Sequence, residues 1–424
     1  MKSITDITRR AWHGAHMHLW LYHRAPVIQR RRVQMVQRRG YARVVFLAMN
    51  VPMWKYQRLY QAMLGHPLFR PTIVLSPSVA YVHAQQQADM KALRDYFNAR
   101  DTTYIDWDPA APCDIGGELD PDIIFYPQPY EHLLVPQHDC TSHYDRLLCF
   151  YPYSFMTGSG SLTYNLHFHN MAWRLYYPNS IIASTAQATA RNHGCNVRVV
   201  GHPVADEFAQ WHGSDPWCAI ADGRPRRRII WAPHFAFTPQ FGQTARSNFL
   251  WMAHFMLDLA QRYQEFIQVA FKPHPRLLTE LYAHPEWGKQ RTDDYYRLWS
   301  TMPNTQLELG QYVDLFMTSD AMIHDCASFV IEYLYTHKPV MFVSRNIDQL
   351  LVGQTDLSRE AFGQLYIGCD EREIIDFVDN VVLGEEDTMA PLREGFVQRR
   401  LLPRDGQTVA HSTIADLVNS LGLG

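Results

Sequence analysis

The sequence predicts an α/β protein with two domains. Its apolar runs are continuous rather than alternating, and helix-patterned stretches separate them, as expected for parallel strands buried on both faces. At 424 residues the chain exceeds one ordinary domain. The stretch Asp314–Val343 (DLFMTSDAMIHDCASFVIEYLYTHKPVMFV) spells a short helix (Asp314–Met317), a strand (Ala321–Ile323), a tight turn, a helix (Ala327–Tyr335) and a second strand (Val340–Val343).

Taken in order, Ile4–Arg39 is predicted helical. Trp12, His16, Leu19, Trp20 and His23 share one face at three- and four-residue spacing, and the basic clusters Arg30–Arg32 and Arg38–Arg39 follow. Arg43–Met49 is the first buried strand, and Val51–Gly65 is a helix turning Tyr56, Leu59, Tyr60 and Met63 inward. Pro71–Leu75 is a strand, Gln85–Asn98 a polar-faced helix, and Asp122–Tyr126 and Leu147–Tyr151 are further strands. Two apolar stretches, Ser180–Ser184 (SIIAS) and Val197–Val200 (VRVV), close the first domain. Asp206–Pro225, rich in Gly, Pro, Asp and Trp, reads as a linker. The second domain opens with the strand Ile229–Ala232. It continues through the helix Ser247–Arg262, the strand Phe266–Lys272 and the 314–343 unit to a helix at Glu371–Leu383. The predicted boundaries are 1–40 (basic helical segment), 41–205, 206–225 (linker), 226–400 and 401–424, with the last helix, Thr408–Leu421, expected to pack back on the first domain.

Composition narrows the partners. Hydrophobic content of 47% and charged content of 19% describe a globular chain with a sizeable core. No apolar run reaches the ~18 residues of a membrane span, and the N-terminus lacks a signal-peptide pattern, so secretion is not expected. Seven scattered cysteines without C-x-x-C point to reduced thiols in a cytoplasm and away from a structural zinc. The net charge of −3 hides an asymmetry: residues 1–88 carry thirteen Lys and Arg against the single acid Asp6, a net +12, which leaves −15 for the remainder. Such an end implies an anionic partner, either a membrane surface, a polyanionic acceptor or nucleic acid. The aromatic face and basic clusters suit a helix lying on an anionic bilayer, which would make the protein peripheral on the inner face of the plasma membrane. The alternative is a helix packed on the first domain with solvated arginines. No nucleic-acid motif accompanies the charge, so nucleic acid is not expected. No G-x-G-x-x-G follows the first strand, and no dinucleotide cofactor is expected.

The residues with chemistry lie mostly at strand ends. In the turn His324–Ser328, Asp325 is placed to cap the following helix and Ser328 sits in its first turn. A helix N-terminus after a strand is a site for phosphate, although an ordinary capped βαβ unit looks the same. Cys326 fills this turn rather than acting as a nucleophile. Lys272 and His274 stand at the C-terminal end of a strand, where a cation and an imidazole suit a diphosphate; the alternative is a structural turn with a solvated histidine. Pro273 and Pro275 fix the backbone around His274. His234 follows Pro233 at another strand end, and the aromatic and polar loop Phe235–Thr244 reads as a cover for a ligand. Glu332 shares a helix face with Ser328. His167 and His169 lie in Met156–Asn170 at i, i+2; no third ligand accompanies them, so no metal is expected, and a packed or solvated pair is the plainer reading.

The turn and strand around Asp325, Ser328, Lys338 and Pro339 resemble the signature of the CDP-glycerol glycerophosphotransferases, the teichoic-acid and capsule polymerase family; Ala327 stands where that signature has a first serine. Three more pieces fall in family order: Gly201-His202-Pro203-Val204-Ala205-Asp206 resembles its hinge, Ile229–His234 its second-domain opening strand, and Phe271-Lys272-Pro273-His274-Pro275 its Lys-x-His-Pro motif. The tail Asp405-Gly406-Gln407-Thr408 fits as well. The match runs from about Asp122 to the end and is poor near the N-terminus. One departure stands out: Tyr151-Pro152-Tyr153-Ser154 occupies the place of the family's catalytic His-Gly loop.

The resemblance implies a GT-B arrangement, two Rossmann-like domains facing a cleft. It implies transfer of glycerol phosphate, or a related polyol phosphate, from a CDP-activated donor such as CDP-glycerol to a polymeric or lipid-linked acceptor, with release of CMP. Lys272, His274, Ser328 and the helix N-terminus at Asp325 would hold the donor phosphates, and His274 would protonate or stabilise the leaving CMP. The base is open among His167, His169 and His234. By analogy with two-domain nucleotide-dependent transferases Glu332 would reach a ribose, or else it forms a surface salt bridge. Two other readings stand: a glycosyltransferase or epimerase using a UDP-sugar, and a non-catalytic nucleotide-binding scaffold.

Overall fold

The computed structural model describes residues 23–158, 160–238, 247–310, 312–403 and 406–424. The expected aromatic face of Trp12, His16, Leu19 and Trp20, the loop beyond Thr238 and Asp405 lie outside the described residues. The chain divides into two compact units, Met1–Asp206 with Pro403–Gly424, and Glu207–Leu402.

The first unit is built on six parallel strands: β1 (Ala42–Ala48), β2 (Phe69–Leu75), β3 (Ile123–Tyr126), β4 (Leu147–Phe150), β5 (Arg174–Tyr177) and β6 (Val197–Val199), in the order β2-β1-β3-β4-β5-β6. The apolar runs of β1, β3 and β4 are buried, and aromatic rings fasten neighbouring strands: Phe46 of β1 stacks on Phe125 of β3 with centroids 4.8 Å apart. The apolar stretch SIIAS opens the helix Ser180–Thr189, because the Asn179 side chain accepts a hydrogen bond from the Ile182 N–H and so caps it. The strand of that region is β5, whose sequence RLYY has too little aliphatic content to stand out. The helix expected from Val51 starts only at Gln57, after a turn at Val51–Met53.

The last helix, Val409–Leu421, belongs to this unit. Its first free N–H groups, those of Val409 and Ala410, donate to the buried Asp206 carboxylate at 2.8 and 2.9 Å, while Thr408 Oγ accepts from the His411 N–H. Gly201 allows the approach: its φ is +99°, and an added Cβ would lie 2.7 Å from Val409 Cγ2. The Gly201–Asp206 motif is therefore a docking device for the C-terminal helix.

The second unit has six parallel strands of its own: β7 (Arg227–Ala232), β8 (Ile267–Phe271), β9 (Thr305–Leu307), β10 (Ala321–His324), β11 (Val340–Val343) and β12 (Tyr366–Gly368), in the order β12-β11-β10-β7-β8-β9. Trp231 centres the core on one face, stacked on Phe249 and Phe271 and tilted against Trp299. The edge strands β9 and β12 have three residues each, too few to show a period in sequence. The helix expected over Ala327–Tyr335 is shorter, Phe329–Glu332, and tightens into a 3-10 turn at Tyr333–Thr336. Numbered within the unit, the strand order is 3-2-1-4-5-6 read backwards, so the winding reverses between β7 and β10. Ligands of such sheets bind outside the carboxyl ends of the strands at that reversal.

Replacing Asp206 by Ala is expected to lower unfolding stability by about 1–2 kcal/mol, the usual cost of losing a cap. Urea denaturation checks it, with hydrogen exchange at the amides of residues 409–411 accelerating before the rest of the helix.

Candidate functional site at a strand-order reversal

Asp325 follows β10 at the reversal and is 2% exposed. Its carboxylate does not cap the helix that follows it. One oxygen accepts the His234 N–H at 2.5 Å, and the other accepts the Asn248 N–H at 2.5 Å and the Asn248 side-chain amide at 3.2 Å. Asn248 also donates to the Val343 carbonyl, so one buried acid joins the ends of β7, β10 and β11 to the start of the helix Phe249–Arg262. Burial pushes the Asp325 carboxyl up to about 6, against the pull of the Asn248 and His234 hydrogen bonds.

His234, so held, lies against His274 with ring centroids 5.1 Å apart. Phe235 packs on both imidazoles at 4.4 Å, and the Arg276 guanidinium covers the other side of Phe235 at 4.1 Å. The His274 N–H donates to the Pro233 carbonyl, which fastens the loop after β8 to the loop after β7. The two rings have matching backbone partners: His234 Nδ1 accepts from the Ala236 N–H and His274 Nδ1 from the Arg276 N–H, both at 3.1 Å. An accepting Nδ1 puts the proton of a neutral ring on Nε2. Burial, then the Arg276 charge, push the His274 pKa down to about 4, so at neutral pH this imidazole is a neutral Nε2–H donor.

Lys272 ends the same strand and is 8% exposed, with its ammonium donating to the Gly310 carbonyl at 2.8 Å. Burial lowers its pKa to about 8, leaving it charged at neutral pH beside the imidazoles. The structure thus brings Lys272, His274, His234 and Asp325 together at the ends of β7, β8 and β10. Ser328, half-buried, is the N-cap residue of Phe329–Glu332, and its carbonyl accepts the Ile331 and Glu332 N–H groups. Of the two readings of Glu332, the surface salt bridge is corrected: the side chain is buried and hydrogen-bonded to Tyr312. Lys338, from the same motif, donates to the Phe316 and Met317 carbonyls and so caps the helix Val313–Thr318.

His324 escaped the sequence reading. It is 1% exposed at the end of β10. Its Nδ1–H donates to the Cys326 carbonyl at 3.1 Å, and its Nε2 has no hydrogen-bond partner among the described residues. Burial lowers its pKa to about 3. The supports Asn248 and Gly310 were also missed, since an asparagine before a helix and a loop glycine carry no pattern of their own.

In the first unit, His167 and His169 part company on the short helix His167–Met171. His169 is 1% exposed, with Nδ1 accepting from the Leu166 N–H. His167 is one-third exposed and directs Nδ1–H to Glu131 at 2.5 Å, and Tyr144 donates to the same carboxylate oxygen. A carboxylate on Nδ1 fixes the tautomer and leaves Nε2 as the basic atom. No group of three or more His, Cys, Asp or Glu side chains suited to a metal occurs among the described residues.

Comparison with known proteins gives a family match for the second half of the chain and a fold for the whole. Residues 213–418 match the family model described as CDP-Glycerol:Poly(glycerophosphate) glycerophosphotransferase. No protein of curated function matches in sequence. Among solved structures, a putative UDP-N-acetylglucosamine 2-epimerase from Listeria monocytogenes is similar at 13% identity and a TM-score of 0.55, over 91% of this chain and 98% of that one. The UDP-GlcNAc 2-epimerase from Neisseria meningitidis bound to UDP-GlcNAc gives 12% and 0.53, over 89% and 99%. The wall teichoic acid polymerase TagF gives 11% and 0.53, over 98% of both chains. At these identities the likeness is one of fold, the GT-B type of α/β protein.

The buried imidazoles set a pH dependence. His169, His202, His274 and His324 are held at about 4, 3, 4 and 3, below the ordinary 6.5. The unfolded chain therefore binds more protons than the native one as pH falls below 6.5, and stability falls with it. Asp325, raised to about 6, acts oppositely between about 4 and 6, as do Asp89, Asp122 and Asp206, which burial also raises, while His138 and His337 add to the four imidazoles. The denaturation midpoint is expected to drop steadily from pH 6.5 to 4.5, with a shallower slope in His324→Asn; a flat midpoint would contradict the buried neutral rings.

Proposed function

Residues 213–418 belong to the CDP-glycerol:poly(glycerophosphate) glycerophosphotransferase family, and from that premise we propose that the chain transfers glycerol phosphate, or a related polyol phosphate, from a CDP-activated donor to a hydroxyl of a teichoic-acid-like or capsular polymer. The acceptor oxygen forms a bond to the phosphorus nearer the polyol, the bond from that phosphorus to the oxygen bridging to CMP breaks, and CMP leaves. The acceptor's proton goes to a base.

The observation that carries the reading is the cluster at the strand-order reversal. Lys272 supplies a charge and His274 an Nε2–H for the donor diphosphate, on a backbone that Asp325 fixes before any ligand arrives. A neutral His274 stabilises the departing phosphate by hydrogen bonding rather than by giving up its proton. His234 and Ser328 complete the donor side, and Glu332 is assigned to the ribose. In the first unit the histidine best built to take the acceptor's proton is His167, oriented by Glu131. His169 is then a packing residue.

CDP-glycerol, CDP-ribitol and CMP are expected to raise the melting temperature, and CDP-glycerol with a polyol-phosphate acceptor to release CMP. Removal of one phosphate donor, as in His274→Ala or Ser328→Ala, is expected to lower kcat by about 10- to 1,000-fold with the fold intact. Full turnover in both variants would remove the donor assignment. Stabilisation by uridine nucleotides alone would move the activity to UDP-sugar chemistry, and binding without turnover would indicate a scaffold.

A further inference from the structure

A polar row crosses one face of the second sheet and ends in a carboxylate. The Gln268 side-chain amide donates to Gln306 Oε1 at 3.4 Å, and the Gln306 amide donates to Glu308 Oε1 at 2.7 Å. Gln306 is 3% exposed, donates to the Pro216 carbonyl and accepts the Cys218 N–H, so it is a fixed partner for the carboxylate. Glu308 directly follows β9, and its own N–H donates to the Phe271 carbonyl at 2.8 Å. Phe271 pairs with Leu307 in register, so Lys272 and Glu308 leave β8 and β9 side by side. Glu308 is half-buried, and its Oε2 has no hydrogen-bond partner among the described residues. No ion pair joins it to Lys272, whose ammonium goes to the Gly310 carbonyl instead. The acid's charge is felt at the lysine through space, where it opposes the fall in pKa that burial causes.

The loop that Glu308 begins passes the two points assigned to the donor nucleotide. It starts beside Lys272, assigned to the diphosphate, and reaches Tyr312, which is hydrogen-bonded to Glu332, assigned to the ribose. A nucleotide held at both points keeps its base, one glycosidic bond from the ribose, close to this loop. Leu309 is 66% exposed there and offers an apolar side chain to the face of a flat base. An ionised carboxylate only accepts hydrogen bonds. At position 4 cytosine carries an amino group, which donates, whereas uracil carries a carbonyl oxygen, which also accepts. A carboxylate at that edge therefore attracts cytosine and repels uracil.

We propose that Glu308 selects cytosine over uracil in the donor nucleotide by accepting the 4-amino group on Oε2, with Leu309 against the base; this rests on the CDP-donor reading of the site. The test is calorimetric titration of the full chain with CMP and with UMP, read as the ratio of the two Kd values. Phosphate and ribose contacts are common to both ligands, so a variant that disturbs only Lys272 or the loop leaves the ratio unchanged. The wild type is expected to bind CMP about 10-fold or more tighter than UMP, the discrimination of one hydrogen bond to a charged acceptor. Glu308→Ala is expected to abolish the preference by weakening CMP without weakening UMP. Glu308→Gln is expected to level or reverse it, because an amide can turn its N–H toward the uracil carbonyl. Leu309→Ser is expected to weaken both ligands alike. A wild-type preference for CMP that survives both Glu308 variants overturns the proposal and leaves the CDP donor standing. A wild type that binds UMP as tightly as CMP, or binds neither, overturns the proposal and the donor reading together. A preference lost in the variants, with no release of CMP from CDP-glycerol by the wild type, upholds the base assignment and counts against the transfer reaction alone.

Discussion

A single buried carboxylate organises the second unit's ligand end. Asp325 accepts three hydrogen bonds from two segments far apart in sequence, the loop after β7 and the start of the helix Phe249–Arg262. With the Ser247 hydrogen bonds to the His234 and Ala236 carbonyls they fix the His234 loop, and the His274 loop hangs on it through Pro233. A buried acid that lost these partners would be costly, and so would the orphaned N–H groups, which makes the arrangement all-or-none. The ordering of the loops is thus completed in folding rather than deferred to binding.

The chemistry that results depends on charge placement more than on proton exchange. Two imidazoles use Nδ1 as an acceptor of backbone N–H, and the Lys272 ammonium is tied to a carbonyl. The neutral His274 ring carries its proton on Nε2 and leaves Nδ1 to the backbone. In the first unit the order of bonds is reversed: His167 gives its Nδ1–H to Glu131 and keeps a lone pair on Nε2. The two kinds of ring are thereby distinguished by tautomer alone, a distinction the residue name does not contain.

Most of this fold could be read in advance because long apolar strands announce themselves. RVVFLA, DIIFY, LLCF and VMFV need no context, and the parallel sheets follow from their continuity. What could not be read lies where local and tertiary preferences compete. SIIAS has strand composition, but Asn179 precedes it and starts a helix. Asp325 has cap composition, but its carboxylate turns to partners on other segments. The site was legible as a set of strand-end residues, Lys272, His274, His234 and Asp325, and illegible in its supports, since Asn248, Gly310 and Glu131 act only through geometry. Buried His324 gave no sign because a histidine inside an apolar strand reads as an interruption.

The capping of the last helix by Asp206 also bears on how the chain is made. The first unit is discontinuous: its closing helix lies beyond the whole of Glu207–Leu402. On a ribosome, the second unit is complete as a polymer before Val409 is added, whereas the first lacks until then the helix that packs against Gln57–Leu64. The usual order, in which the N-terminal domain matures first, is inverted here: nearly all of the first unit's sequence is synthesised early, but the helix Val409–Leu421 follows the whole of the second unit.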